Sequence, residues 1–387
     1  MNPSSLKSIR SFGQSVWLDY LDRKLIDSGA LRRLIEEDGV AGVTTNPAIF
    51  EKSINGSDHY DRAIAAWVDR GASSLAIYRN LTVRDVVDAA GLLRPLYETS
   101  DGTDGFVSLE VSPHLAHDTQ GTVREARELW GALDRPNVLI KVPATRAGLP
   151  AIRTLLAEGI NVNVTLLFGL TRYTEVAQAY LAALEDRVQA NRSVRHVVSV
   201  ASFFLSRIDS MVDPMLDALA KRPKAPAPEA LKLKGEAAIA CAKLAYRQYR
   251  SIFFSPRFDA LAKNGARTQR LLWASTSTKN AAYSDIKYVE PLIGADTVNT
   301  MPLETLDAYR DHGRPATRLG DDLAHFEEVL ARLPGFGIDA EAVAQRLEDE
   351  GVQKFVAPYD LLLASMEKKT RAQRSEYETT PLSVKEK

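Results

Sequence analysis

Short apolar, β-rich segments recur along the chain, separated by segments with helical periodicity. Eight read as strands: Ser15–Asp19, Val40–Thr45, Phe106–Val111, Val138–Val142, Val162–Leu167, Val197–Phe204, Leu271–Ser275 and Asp296–Met301. Between the fourth and fifth, Leu149, Ile152 and Leu156 fall on one helical face and Gly159 closes the helix. The next helix, Tyr173 to Val188, is rich in alanine, leucine and charged residues. Strands alternating with helices imply parallel βαβ units. Eight such units predict an α/β chain folded as a (β/α)8 TIM barrel. The alternative, a doubly wound sheet, usually carries a Gly-rich phosphate turn after its first strand. This chain has none there.

The barrel accounts for only part of the length, and the remainder is read as additions to one domain spanning 1–387. Residues 209–270 are expected as a helical insertion between strands six and seven, with helices at Ser210–Ala220 and Glu236–Phe253 and a stiff Lys/Pro-rich connector at Lys221–Pro228. Residues 303–369 are expected as extra C-terminal helices: Glu304–His312, Asp321–Arg332, Ala340–Glu350 and Ala357–Lys369. The polar tail 370–387 is expected to be disordered.

Composition narrows the class. The 387 residues are 45% apolar and 26% charged, ordinary for a soluble globular protein, and the formal net charge of -1 gives no reason to expect nucleic acid or an anionic membrane as partner. No apolar run approaches the roughly 20 residues that span a bilayer. The first residues, Met1 to Lys7, have no apolar signal core. The single cysteine, Cys241, makes no intrachain disulfide and reads as a small core residue, which points to a reducing, cytoplasmic setting. A monomer and a homodimer fit the sequence equally.

In such a barrel the chemistry sits at the C-terminal ends of the strands. Strand four ends in Lys141, led in by Val138-Leu139-Ile140 and followed by Pro143. An amine at the end of an apolar strand is partly desolvated, which favours its neutral form, and a neutral amine can attack a ketone to form a Schiff base. Ion pairing or snorkelling is the ordinary reading of such a lysine. The other strand ends carry Asp19, then Thr44-Thr45-Asn46-Pro47, Glu110, Asn163 with Thr165, Ser202 with Arg207, and Ser275 to Lys279. These groups suit Schiff-base chemistry on a polyol, with a carboxylate to move protons and amides and hydroxyls to orient hydroxyl groups. Taken alone, Asp19 reads as a helix N-cap and Asn46 as a turn residue. Glu110 is unusual in an apolar strand, because a buried carboxylate is costly without partners. Asn163 and Thr165 alternate with valines and so share one face. His114 and His117 lie three residues apart with no third ligand in view, so no metal site is assigned.

Several of these segments resemble transaldolase: Gly42-Val43-Thr44-Thr45-Asn46-Pro47, Val138 to Thr145, Asn161 to Phe168, Ser202 to Asp209 and Trp273 to Asn280. The resemblance runs from about Val16 to Leu363 in chain order, one segment per predicted strand. The length and the C-terminal helices resemble the longer bacterial members. The resemblance implies that sugar phosphates are the substrates, that no cofactor is needed, and that dihydroxyacetone is moved between them in the non-oxidative pentose phosphate pathway. It implies a Schiff base on Lys141, proton transfer at the C4 hydroxyl by Asp19, and a catalytic water held by Glu110 and Thr165. Asn46, Asn163 and Ser202 would bind the three-carbon unit, and Arg207 and Ser275 the phosphate. The better-known short pattern supplies a second arginine shortly after the strand-seven serine. Ser277 stands at that place here, so Lys279 is assigned as the substitute cation. An aldolase that releases free dihydroxyacetone is the close rival. Its relatives are much shorter and carry a neutral group where this chain has Glu110.

Overall fold

The computed structural model describes residues 4–221 and 227–379. Eight parallel strands close into a barrel in chain order, with β8 returning to β1. They are β1 (Gln14–Leu18), β2 (Gly42–Val43), β3 (Phe106–Glu110), β4 (Val138–Pro143), β5 (Val162–Leu167), β6 (Ser199–Phe204), β7 (Arg270–Ala274) and β8 (Thr297–Met301). Nearly every strand residue is buried, as expected where helices cover one face and packed side chains fill the other. The expected strands and the (β/α)8 architecture are all present, although β2 shrinks to its last apolar pair.

Register decides which residues meet inside. Glu110 pairs with Lys141 and Lys141 with Asn163, so these side chains form a row across three neighbouring strands. Trp17 pairs with Thr300 on the other side of the barrel. The middle of the interior is filled by Trp17 and Phe106, whose rings lie 6.3 Å apart. Below them Arg270 reaches across to Ser15 Oγ at 2.9 Å and Asp104 Oδ1 at 3.0 Å, closing the N-terminal end with a satisfied polar network. Only the C-terminal end is left to open.

Two expectations about the added segments need correction. Residues 209–270 are not wholly an insertion. The helix Ala237–Phe253 packs on β7 and on the helix Leu170–Gln189, the place of an ordinary barrel helix. The addition is the helix Ser206–Ala220 with the short helix Ala227–Leu231. Asp209 ties the two parts together, accepting from Ala238 N at 2.8 Å and from the Tyr288 hydroxyl at 2.9 Å. Most of the Lys/Pro-rich connector, 222–226, lies outside the described residues.

The second correction concerns the C-terminus. The two helices expected at Ala340–Glu350 and Ala357–Lys369 are one, Ala340–Thr379, running through Gly351 and Pro358. Val352, Phe355, Tyr359, Leu362 and Met366 keep a 3–4 spacing and are all buried. That stripe packs on the helices Pro47–Asn55 and Ser74–Thr99, and the packing outweighs two poor helix formers. The helix also takes up 370–379, part of the expected disordered tail. The rest of that tail, 380–387, lies outside the described residues.

Gly42 shows how tightly the interior is built. A Cβ added there would meet Trp17 Cδ2 and Cε2 at 2.5 Å. Gly42→Ala should therefore lower stability by roughly 1–3 kcal/mol through overpacking, read as a lowered midpoint in chemical denaturation, with an unchanged midpoint counting against this account of the core.

Candidate active site

Lys141 stands at the end of β4 with its side chain only 5% exposed. Its Nζ donates to the backbone carbonyl of Thr45 at 3.0 Å and lies 3.4 Å from Glu110 Oε2. Thr45 is fixed in turn, because its hydroxyl donates to Ser108 O at 2.7 Å. Glu110 is as deeply buried as the lysine. Burial pushes its carboxyl up to about 7, against the lowering influence of Lys141 and Arg207. Both Glu110 carboxylate oxygens and Thr165 Oγ1 are buried without a hydrogen-bond partner among the described residues. Buried polar atoms are rarely left so. Thr165 is aimed by a register break in β5, where Leu166 takes a left-handed φ of 59°.

Asp19 lies at the opposite side of the same opening. It does not cap a helix. Asp22 does that, accepting from Leu25 N. The Asp19 carboxylate accepts instead from Thr44 Oγ1 at 2.6 Å, and Thr44 Oγ1 lies 2.7 Å from Thr300 Oγ1. Burial raises the pKa of Asp19, and Glu304 adds to the rise, whereas Lys141, Thr44 and Arg207 oppose it. The carboxylate is thus held in one orientation and made a stronger base than an exposed aspartate.

Asn46 caps the helix Pro47–Asn55 through Oδ1, which accepts from Ile49 N at 3.1 Å, and it lines the opening as well. Asn163 and Ser202 are linked: Ser202 Oγ donates to Asn163 Oδ1 at 2.6 Å, and Asn163 Nδ2 donates to Ser108 Oγ at 3.0 Å. Asn163 sits beneath the opening, so Ser202 is the member of the pair that faces it.

The opening is a cavity of about 440 Å³ at the C-terminal end of the strands. Asp19, Asn46, Lys141, Ser202, Arg207, Ser275 and Lys279 line it, while Glu110, Asn163 and Thr165 are buried beside these residues and do not line it. At one end the Arg207 guanidinium is held over the Phe204 ring at 5.3 Å, and its Nη1 is buried without a hydrogen-bond partner among the described residues. Ser275, in a left-handed conformation with φ 54°, lies within 2.9 Å of Ser206 Oγ. Such a conformation in a non-glycine residue is costly and persists where its surroundings fix it. Lys279 donates to Ser277 Oγ at 2.6 Å at the rim.

Sequence reasoning missed several lining residues. Thr44 lies in a quoted segment, and its alternation with Gly42 on the inward face could have marked it. Thr300 on β8 was hidden because no β8 residue drew attention. Lys52, Lys354 and Phe355 come from helices, the last two from the C-terminal helix that crosses the mouth. His114 hydrogen-bonds with Asp360 at 2.6 Å on the outside of the molecule.

Residues 16–366 match the model of the transaldolase/fructose-6-phosphate aldolase family. Among curated relatives, transaldolase 2 of Nostoc sp. is 47% identical over 371 residues, 95% of this chain and 97% of the relative. The transaldolase of Thiobacillus denitrificans is 48% identical over 360 residues, 93% of this chain and 99% of the relative. That of Mycobacterium tuberculosis is 48% identical over 367 residues, 94% of this chain and 96% of the relative.

The raised pKa of Glu110 has a consequence for stability. Its folded value of about 7 exceeds the ordinary 4.5, so the folded state binds the extra proton between those two values. Its contribution is therefore complete below pH ~4.5 and is lost as pH rises through ~7. Relative to Glu110→Gln, the wild type should lose on the order of 3 kcal/mol across that window. Denaturant midpoints of both proteins at several pH values measure this, and parallel curves would contradict the buried-carboxyl assignment.

Proposed function

This chain belongs to the transaldolase/fructose-6-phosphate aldolase family, and on that premise we propose that Lys141 and Asp19 carry a Schiff-base transfer of dihydroxyacetone. The reaction moves the three-carbon unit from sedoheptulose 7-phosphate to glyceraldehyde 3-phosphate, giving erythrose 4-phosphate and fructose 6-phosphate, in the non-oxidative pentose phosphate pathway. The observation that carries the residue assignment is the buried Lys141 amine, 3.4 Å from Glu110 and facing the same cavity as Asp19.

The Lys141 amine attacks C2 of the ketose phosphate. The carbinolamine loses water to give an iminium ion, and Glu110, with a pKa near neutrality, exchanges the protons through a water held with Thr165. Asp19 takes the proton of the C4 hydroxyl. The C3–C4 bond breaks, its electron pair moves toward the iminium, and an aldose phosphate leaves while an enamine stays on Lys141. The acceptor aldehyde then enters, C3 of the enamine attacks it, Asp19 returns its proton, and water hydrolyses the new iminium to release the product ketose and free the Lys141 amine. Ser202, positioned by Asn163, and Asn46 hold the hydroxyls of the three-carbon unit. Arg207 binds the phosphate through the part of its guanidinium that faces the cavity, with Ser275 and Lys279 beside it.

Transfer rather than simple release is favoured by Glu110 and by the chain's near-complete overlap with long relatives named transaldolase. We take barrel and appended helices as one domain, because a single buried apolar cluster runs through both. We place the enzyme in the cytoplasm, which suits its one free, buried cysteine, and as a monomer or homodimer.

Borohydride reduction in the presence of fructose 6-phosphate should trap an adduct on Lys141, detected by peptide mass. An adduct that persists in Lys141→Ala would sink the assignment. Asp19→Ala should keep the trapped imine and lose carbon–carbon cleavage by about a hundredfold or more. Fructose 6-phosphate alone should turn over slowly, and erythrose 4-phosphate should restore full turnover. Equal rates without it would mark the protein as an aldolase.

A further inference from the structure

The C-terminal helix reaches the site at one turn, Gly351 to Phe355. Gly351 permits the approach, since a Cβ there would lie 3.0 Å from Leu166 Cδ2 and 3.6 Å from Arg207 Nη1. Phe355, only 3% exposed, then enters the cavity wall. Lys141 Nζ stands 5.5 Å from the centre of its ring, and the Arg207 guanidinium carbon stands 5.9 Å from the same centre. Both distances fall within the range where an aromatic face attracts a cation. One ring from outside the barrel therefore touches the amine that would form the Schiff base and the guanidinium that would take the phosphate.

We infer that Phe355 is a positioning residue for both ends of the substrate, stabilising the cationic iminium on Lys141 and holding Arg207 for phosphate. The inference rests on the Schiff-base reading above. The iminium nitrogen carries its charge where the Lys141 amine nitrogen now stands, so a ring that faces one faces the other. Water is a competing partner for that charge, and a buried ring displaces it. Arg207 also lies 5.3 Å from the centre of the Phe204 ring, so two aromatic rings attract the one guanidinium. A ring shared by both cations couples them: weakening its negative face weakens imine and phosphate binding together.

Fluorination separates this role from packing, because it drains the ring face of negative charge while nearly preserving shape. Phe355 is replaced in the full chain by 4-fluoro-, 3,5-difluoro- and 3,4,5-trifluorophenylalanine. At a fixed, subsaturating fructose 6-phosphate concentration, the borohydride-trapped fraction on Lys141 should fall stepwise, by roughly threefold to tenfold over the series. Inhibition by inorganic phosphate should weaken in the same order, while the thermal midpoint stays level. Phe355→Leu, which keeps apolar cover without a ring, should resemble the trifluoro variant. A flat series in either readout, or losses that follow the thermal midpoint, overturns the shared-ring inference. If the unmodified protein traps adduct and the series is flat, the inference alone fails. If the unmodified protein traps none at Lys141, the Schiff-base reading fails and takes the inference with it.

Discussion

Two opposite charges placed almost out of reach of water, Lys141 and Glu110, set the terms for the rest of the molecule. Withdrawing each ion from solvent costs several kcal/mol, and a single contact of 3.4 Å does not return all of it. The pair is tolerable because neighbouring strands hold it in register and Thr45 offers its carbonyl to the amine. The glutamate meets the remaining cost by binding a proton more readily than an exposed carboxyl would. The same tension that costs stability makes a group able to exchange protons near neutral pH. The apolar filling of Trp17 and Phe106 below keeps water out and so maintains the tension.

Two non-glycine residues near the C-terminal ends of strands also carry backbone strain. Leu166 and Ser275 both hold left-handed conformations although neither is glycine; Leu166 is the last residue but one of β5, and Ser275 directly follows β7. Leu166 is buttressed by the C-terminal helix at Gly351, and Ser275 by the helix that begins at Ser206. Elements added to the barrel thus serve as props for its most contorted residues.

How much of this was legible in the sequence follows from how local each signal is. The strands are continuous apolar runs, and in a parallel barrel such runs need little context. Their C-terminal ends therefore delivered Asp19, Glu110, Lys141 and Ser202 directly. Whether Asp19 capped a helix was undecidable locally, because the competing cap, Asp22, is only three residues on. Thr300 was invisible because its meaning depends on Thr44, 256 residues away in the chain. The break expected near Gly351 and Pro358 failed for a similar reason. Propensity argued for two helices, and a buried stripe that only the tertiary structure reveals made them one. Phe355 looked like any core aromatic until a barrel was folded beneath it.

The course of the C-terminal helix also has a meaning in time. On a ribosome the chain emerges from its N-terminus, and β1 waits unpaired on one side until β8, ending at Met301, arrives to close the ring. Even then the mouth has no roof, because Phe355 and Lys354 are still to be made. The nascent barrel therefore carries its amine without this cover until residues 354 and 355 have been made. The cover over Lys141 thus comes from a segment synthesised only after the eighth strand.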